Sequence, residues 1–217
     1  MLQYEFGTFE FITELLFALI ACGFCFLMYG KTKESYELTR HKGIGYFRNA
    51  FLLFGIAYAF RFVLRLMFFS RRALDIIPPD FGVPFFVFAV GYVSTLALVY
   101  LLLSTVWKQV SNKLVLGIGH AVALGLGIAS FLRHSHIIVV YVQCLLLFAA
   151  VVLSIRVHAK GKKSQKVLYV LVAVMWLISL FILGLRSQFP FWIDVAWMLL
   201  SLGVFVAIYV RVAKWIS

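Results

Sequence analysis

The amino-acid sequence predicts an all-α integral membrane protein: a seven-transmembrane-helix bundle that forms a single domain over residues 1–217. Of its 217 residues, 64% are hydrophobic and only 13% are charged, and the mean hydropathy is +1.03. A soluble domain of this size needs far more polar surface. The apolar residues also fall in runs of about 20, the length that crosses a ~30 Å hydrocarbon core as a helix.

Each apolar run predicts one helix, and short polar segments separate the runs. The predicted bounds are 9–29, 46–69, 83–107, 114–132, 137–157, 167–185 and 191–210. Helix 1 follows eight residues without lysine or arginine, so it lacks the basic start of a signal peptide and is expected to be retained. Segment 31–45 is the longest predicted loop. The later breaks carry prolines, histidines or basic residues: Pro78, Pro79, Lys108, Lys113, His134, His136, Lys160, Lys166 and Pro190.

Basic residues predict the orientation of the helices. Thirteen of the twenty lysines and arginines lie after helices 1, 3, 5 and 7, and four lie in the loops on the other side. Positive charge stays cytoplasmic in short loops. The N-terminus is therefore expected outside and the C-terminus in the cytoplasm, with the cell membrane as the expected location.

Helices 1–3 and 5–7 share local features that suggest a 3-1-3 parallel repeat around helix 4. Helices 1 and 5 run into YGKTKES and AKGKKSQ, whereas helices 3 and 7 follow FGVPFF and FPFW. Internal repeats are common in transporter folds. Chance similarity between apolar segments explains the same features equally well.

Four charged residues inside helices 1 and 2 form the main candidate site. Counted from the predicted helix ends at 1.5 Å per residue, Glu14 lies level with Arg61, and Glu10 lies level with Arg65. Each helix spaces its two charges four residues apart, so they share one face. This predicts two ion pairs. They form either a salt-bridge ladder that neutralises buried charge or a ligand or ion site, and Arg65 alone could extend to the interface.

Further polar residues reach the same outer layer by helix rise. Asp194 lies near the start of helix 7, where its carboxylate could simply interact with the positive end of the helix dipole. Gln143 lies on helix 5 and Trp176 on helix 6. If these side chains converge with the charged layer, the bundle holds an outward-facing polar pocket walled by aromatic rings.

A second polar set is predicted near the cytoplasmic side: Arg48, Asn49 and His120. Arg48 there is more typical of a lipid-headgroup anchor than of a switch. No metal or other cofactor is predicted, because His120 is the one histidine within a predicted helix and no ligand-spaced cluster is present. Cys22 and Cys25 have C-x-x-C spacing, but they lie mid-helix, which favours a packing role.

Small residues on helix 4 predict close helix packing. Gly117, Ala121 and Gly125 form one row, and Gly127 belongs to a second row with Gly119 and Ala123. Rows of small residues let helix backbones approach closely. Helix 4 is therefore predicted to be the buried centre of the bundle, with an oligomer face as the alternative.

These features favour a sensor or receptor-like module that passes a signal to a separate cytoplasmic or membrane partner. The alternatives are a small transporter or ion-conducting protein that uses the Glu/Arg layer, and a structural subunit of a membrane complex. Besides the lipid bilayer, the expected partners are a small-molecule or ion ligand, and either a separate cytoplasmic signalling partner or other copies of the chain. No nucleic acid is expected, because the basic residues set topology, and no enzyme, because no nucleophile–base pair is visible.

The sequence lacks the defining features of three seven-helix families. Retinal proteins need a lysine in the middle of helix 7, and WIDVAWMLLSLGVFVAIYV has none. Small sugar transporters with a 3-1-3 arrangement carry proline hinges within their helices, whereas the four prolines here lie in loops or at helix starts. No motif of G-protein-coupled receptors is present.

Overall fold

The computed structural model describes residues 8–73, 82–107, 113–133, 137–157, 163–185 and 191–216. These residues form seven α-helices: α1 Thr8–Thr39, α2 Lys42–Ala73, α3 Gly82–Val106, α4 Lys113–Arg133, α5 Ile137–Val157, α6 Lys163–Leu185 and α7 Phe191–Ile216. The prediction of an all-helical chain is therefore confirmed for the described residues.

Six of the helices are long and apolar enough to cross a membrane: α1, α2, α3, α4, α5 and α7. In α6 the side chains that the structure describes within its apolar part are those of Val167–Ser179. A ~30 Å hydrocarbon core requires about 20 apolar residues in a helix, and all backbone polar groups must be paired within it. Six such helices in the described part of the chain indicate an integral membrane protein.

The first two helices are longer than predicted, and the predicted loop 31–45 is almost entirely helical. Only Arg40 and His41 separate α1 from α2, and Arg40 adopts a left-handed φ of 52° that ends α1. Each helix has 32 residues, or about 48 Å at 1.5 Å per residue. Lys33 and Glu37 form an i, i+4 ion pair on α1. Hydropathy therefore marks where apolar character stops, whereas the helix continues through charged residues that also favour helix.

The hairpin end holds the Arg40–His41 turn, and the N-terminal end holds the start of α1 and the end of α2. Neighbouring helices form a ring in the order α1, α2, α3, α5, α6, α7 and back to α1, and α4 packs outside it against α3 and α5. The most buried helix is α3, because α2, α4 and α5 surround it.

The prediction that helix 4 is the buried centre is therefore wrong. Only one face of α4 contacts α3: a Cβ added at Gly127 would lie 2.9 Å from the ring of Phe88, and one at Gly119 would lie 2.5 Å from Val99. Gly117, Ala121 and Gly125 are exposed on the opposite side. Added Cβ atoms at Gly117 and Gly125 would meet no described heavy atom within 4 Å. Two small-residue rows on one helix do not reveal which row faces the protein.

Large aromatic side chains fill the interior of the ring. The aromatic layer consists of Phe51 and Phe54 from α2, Trp176 from α6 and Phe205 from α7, all fully buried. The ring centroids of Phe54 and Trp176 are 4.7 Å apart. Because these side chains meet across the ring, they close the bundle between its N-terminal end and its hairpin end.

Candidate binding cavity

A cavity of about 190 Å³ lies between α1, α2, α6 and α7, on the N-terminal side of the aromatic layer. Its polar lining comes from two arginines, a glutamate, a tyrosine and a serine, and aromatic and aliphatic side chains supply the rest. The lining residues are Glu14, Phe17, Ala18, Tyr58, Arg61, Leu64, Arg65, Phe68, Ser179 and Met198. Charged side chains on two neighbouring helices thus face the same space.

Glu14 and Arg65 form an ion pair across the cavity wall. The distance from Arg65 Nε to Glu14 Oε2 is 3.1 Å, and the Glu14 side chain is 8% exposed against 34% for Arg65. Guanidinium and carboxylate groups form strong charge-assisted hydrogen bonds. The pair fixes the height of α1 relative to α2 at this end of the bundle.

The predicted pairing of Glu14 with Arg61 is corrected by one helical turn. The prediction counted depth from residue 9 at the outer end of helix 1 and from residue 46 at the inner end of helix 2, with the loop 31–45 between the two helices. Because the turn lies at Arg40–His41 instead, Glu14 is level with about Met67, and Arg61 lies about 9 Å closer to the hairpin end. The side chain of Glu10 lies outside the described residues, as does the predicted contact of Glu10 with Arg65.

Arg61 sits against aromatic rings rather than a carboxylate. Its guanidinium carbon is 5.4 Å from the ring centroid of Trp176 and 5.6 Å from that of Tyr58. Cation–π contacts contribute about 0.5–2 kcal/mol each, depending on how far the site is desolvated. Its Nε is buried and has no hydrogen-bond partner among the described residues. Arg61 therefore presents a donor and a positive charge to the cavity.

A hydrogen bond between α2 and α6 forms the inner wall of the cavity. The hydroxyls of Tyr58 and Ser179 are 2.6 Å apart, and Ser179 also donates to the carbonyl oxygen of Met175 at 3.0 Å. Tyr58 then donates to Ser179. Tyr58 was not among the predicted site residues, although its position three residues before Arg61 on one helix face could have indicated it.

Asp194 occupies the buried stripe of α7 that also contains Met198, Ser201 and Phe205. Residues four apart share a helix face. Asp194 therefore lies one turn beyond Met198, towards the N-terminal end, and is not among the residues that line the cavity.

Gln143 belongs to a different part of the bundle. Its side-chain Nε2 donates to Ser94 Oγ at 2.7 Å and to Thr95 Oγ1 at 3.2 Å, which joins α5 to α3. It does not line the cavity. Gln143 therefore does not converge with the charged layer, because the buried face of α5 is directed at α3. Trp176, by contrast, does contact the charged layer, because its ring packs against Arg61.

The predicted cytoplasmic polar set lies in two separate places. The Arg48 guanidinium packs 4.6 Å from the ring centroid of Tyr36 and bonds to Asn49 Oδ1 at 3.2 Å. On α4, His120 Nδ1 instead lies 3.0 Å from the hydroxyl of Tyr92 on α3. Arg48 and Asn49 therefore stiffen the extended α1–α2 hairpin, whereas His120 helps attach α4 to α3.

Comparison with known proteins identifies a relative but no activity. The chain is 29% identical over 181 residues to an uncharacterized protein of Archaeoglobus fulgidus, and the match covers 79% of each chain. No family model and no solved structure matches the chain. The function therefore has to be inferred from the cavity and its charged residues.

Proposed function

We propose that this protein is a receptor-like module of the cell membrane, with seven spanning helices and the N-terminal end of the bundle outside. Its cavity takes a small ligand from the outer side, and the bundle passes the signal to a separate cytoplasmic or membrane partner. The observation that carries the proposal is a cavity with three charged side chains, Glu14, Arg61 and Arg65, inside a largely apolar bundle. Ionisable residues at membrane depth are costly and commonly mark functional sites.

The interior below the cavity favours ligand binding over passage through the bundle. The aromatic layer fills the space between the cavity and the hairpin end with fully buried rings. A ligand that enters from the N-terminal end meets the bonded hydroxyls of Tyr58 and Ser179 and then these rings. In addition, the triplets α1–α3 and α5–α7 each form a continuous half of the ring, and α4 packs outside it against α3 and α5, which supports the 3-1-3 organisation.

Transport through the same cavity is the second candidate, and polar contacts at greater depth favour it. Towards the hairpin end, the hydroxyls of Ser104 and Tyr169 are 2.9 Å apart across α3 and α6. Gln143 adds a polar contact between α5 and α3. A pathway needs polar groups at several depths, and the aromatic layer would have to open. The third candidate is a structural subunit, for which the Glu14–Arg65 ion pair needs only to stabilise the packing of α1 on α2.

Thiol accessibility tests whether the cavity opens outwards. Met198 lines the cavity, whereas Ile208 lies further along the same buried stripe of α7. Cysteine replaces each residue in turn, in a chain whose three natural cysteines are changed to alanine. The impermeant anionic reagent MTSES, added to intact cells, is expected to modify Met198→Cys and to leave Ile208→Cys unreacted. Equal reaction at both positions, or at neither, would contradict an outward-facing cavity.

The modified cysteine also tests signalling, because it occupies the cavity covalently. Hydrogen exchange at the hairpin end, measured by mass spectrometry on the purified protein, is expected to change when Met198→Cys carries the reagent. Unmodified Met198→Cys is the control. A receptor requires that occupancy at one end alters the other. Unchanged exchange at the hairpin end would remove the signalling role, and uptake of a small anion by proteoliposomes would then support the transporter.

A further inference from the structure

We infer that the ligand of the cavity is a small monoanion with an apolar body, and that its carboxylate binds Arg61. This inference rests on the proposed binding function and names the chemical class of the ligand. It follows from three properties of the lining: its charge, its free donor and its size.

The charge of the lining selects an anion with a single charge. Among the residues that line the cavity, Glu14 neutralises Arg65 at 3.1 Å, and Arg61 contributes one further positive charge. A cationic ligand would place like charges together in a desolvated site, where repulsion is strong. A dianion would overcompensate Arg61 by one charge. A monoanion leaves the lining and the ligand together neutral.

The donor of Arg61 selects an oxygen acceptor. Its buried Nε has no hydrogen-bond partner among the described residues, and an unpaired buried donor is costly. A guanidinium presents its N–H groups in a planar fork that matches a carboxylate. The rings of Trp176 and Tyr58 hold the guanidinium in place. An incoming carboxylate would therefore meet a preorganised cation.

The volume of the cavity and its apolar lining indicate what the ligand carries besides its carboxylate. The cavity of about 190 Å³ is somewhat larger than an engineered ~150 Å³ protein cavity that admits benzene. Half of the lining is apolar: Phe17, Ala18, Leu64, Phe68 and Met198. Such a space fits a carboxylate on a ring or a short chain, with roughly six to nine non-hydrogen atoms.

Three ring compounds of nearly equal size test the inference on the unaltered protein. Benzoate carries the carboxylate, benzamide is its neutral counterpart and benzylamine is a cation. Equilibrium dialysis of the purified full chain in neutral detergent is expected to give a Kd for benzoate about 10–100-fold lower than for benzamide, from the loss of a charge-assisted hydrogen bond. Benzylamine is expected not to bind.

Two arginine variants locate the contact on α2. Arg61→Gln is expected to weaken benzoate binding about 10–100-fold by the same argument, to the level of benzamide. The matched control is Arg48→Gln, because Arg48 lies on the same helix and does not line the cavity. It should bind benzoate like the parent. The wild-type comparison of benzoate with benzamide stands even if Arg61→Gln fails to fold.

Binding of benzamide as tight as that of benzoate would overturn the anion inference, as would undiminished benzoate binding by folded Arg61→Gln. Binding of neither compound would overturn it as well. In each case the proposed receptor role stays testable by MTSES modification of Met198→Cys, which needs no ligand identity. Modification of that cysteine without benzoate binding would leave an outward-facing cavity for another chemical class.

Discussion

The carboxylate of Glu14 on α1 lies 3.1 Å from Nε of Arg65 on α2, and Arg61, one turn along the same face of α2, packs against Trp176 instead. The two arginines thus have different partners although their spacing made them equivalent in the sequence. Arg65 belongs to an ion pair that fixes helix register, and Arg61 presents its charge to the cavity.

A double-mutant cycle distinguishes the two arginines. Glu14→Gln is expected to lower the free energy of unfolding by about 1–3 kcal/mol, less than the ~3–5 kcal/mol typical of a fully buried pair, because one third of the Arg65 side chain is exposed. Combining it with Arg65→Gln should recover part of this loss, and combining it with Arg61→Gln should be nearly additive. Unfolding in SDS mixed micelles gives the values. Larger coupling to Arg61 than to Arg65 would contradict the observed register.

The hydroxyl pair of Tyr58 and Ser179 gives a second stability prediction. Ser179→Ala leaves the fully buried tyrosine hydroxyl without its partner at 2.6 Å and should cost about 1–3 kcal/mol. Adding Tyr58→Phe removes the unpaired hydroxyl, so the double variant should be more stable than Ser179→Ala alone. The same micelle assay measures both. A double variant less stable than Ser179→Ala would show that the hydroxyls do not bond to each other.

Two glycines of α4 serve as a matched pair. Gly127→Ala would place a Cβ 2.9 Å from the ring of Phe88 and 3.3 Å from its carbonyl oxygen, so the ring must shift or α3 and α4 must separate. About 1–3 kcal/mol of destabilisation is expected. Gly125→Ala meets open space and should stay within about 0.5 kcal/mol or gain up to ~1 kcal/mol of helix propensity. A Gly125→Ala variant that unfolds more readily than Gly127→Ala would reverse the assigned face of α4.

Orientation is tested at the hairpin end. Glu34 is exposed on the extended part of α1, so Glu34→Cys, in the background without natural cysteines, should react with an impermeant maleimide only after cells are permeabilised. An epitope tag placed ahead of Met1 should be detected by antibody on intact cells. Reaction of Glu34→Cys in intact cells would place the hairpin end outside and would also reverse the predicted access to the cavity.

The ends of the helices were predicted least accurately. This error led to the predicted pairing of Glu14 with Arg61 instead of Arg65. The predicted ends at residues 29 and 46 were positions where apolar character changes. The chain continues as helix to Thr39 and restarts at Lys42, so the true antiparallel register differs by about six residues. The stacked rings of Phe11 and Phe69 and the contact of Tyr36 with Gly45 both follow the tighter turn. The relative height of residues on α1 and α2 was thus misjudged by about six residues, or ~9 Å.

Composition and the length of the apolar runs by themselves determined the all-helical membrane class and the approximate positions of the helices. They also identified the charged residues that lie within helices. Hydrocarbon imposes these features directly, because it requires about 20 apolar residues per span and fully paired backbones. The tertiary structure alone decided that α3 rather than α4 is buried, that Gln143 bonds to α3, and that Glu14 meets Arg65 while Arg61 faces a cavity. Helix rotation and register decide these contacts. They depend on the simultaneous packing of all the helices, and an apolar sequence that is nearly uniform around each helix does not encode them locally.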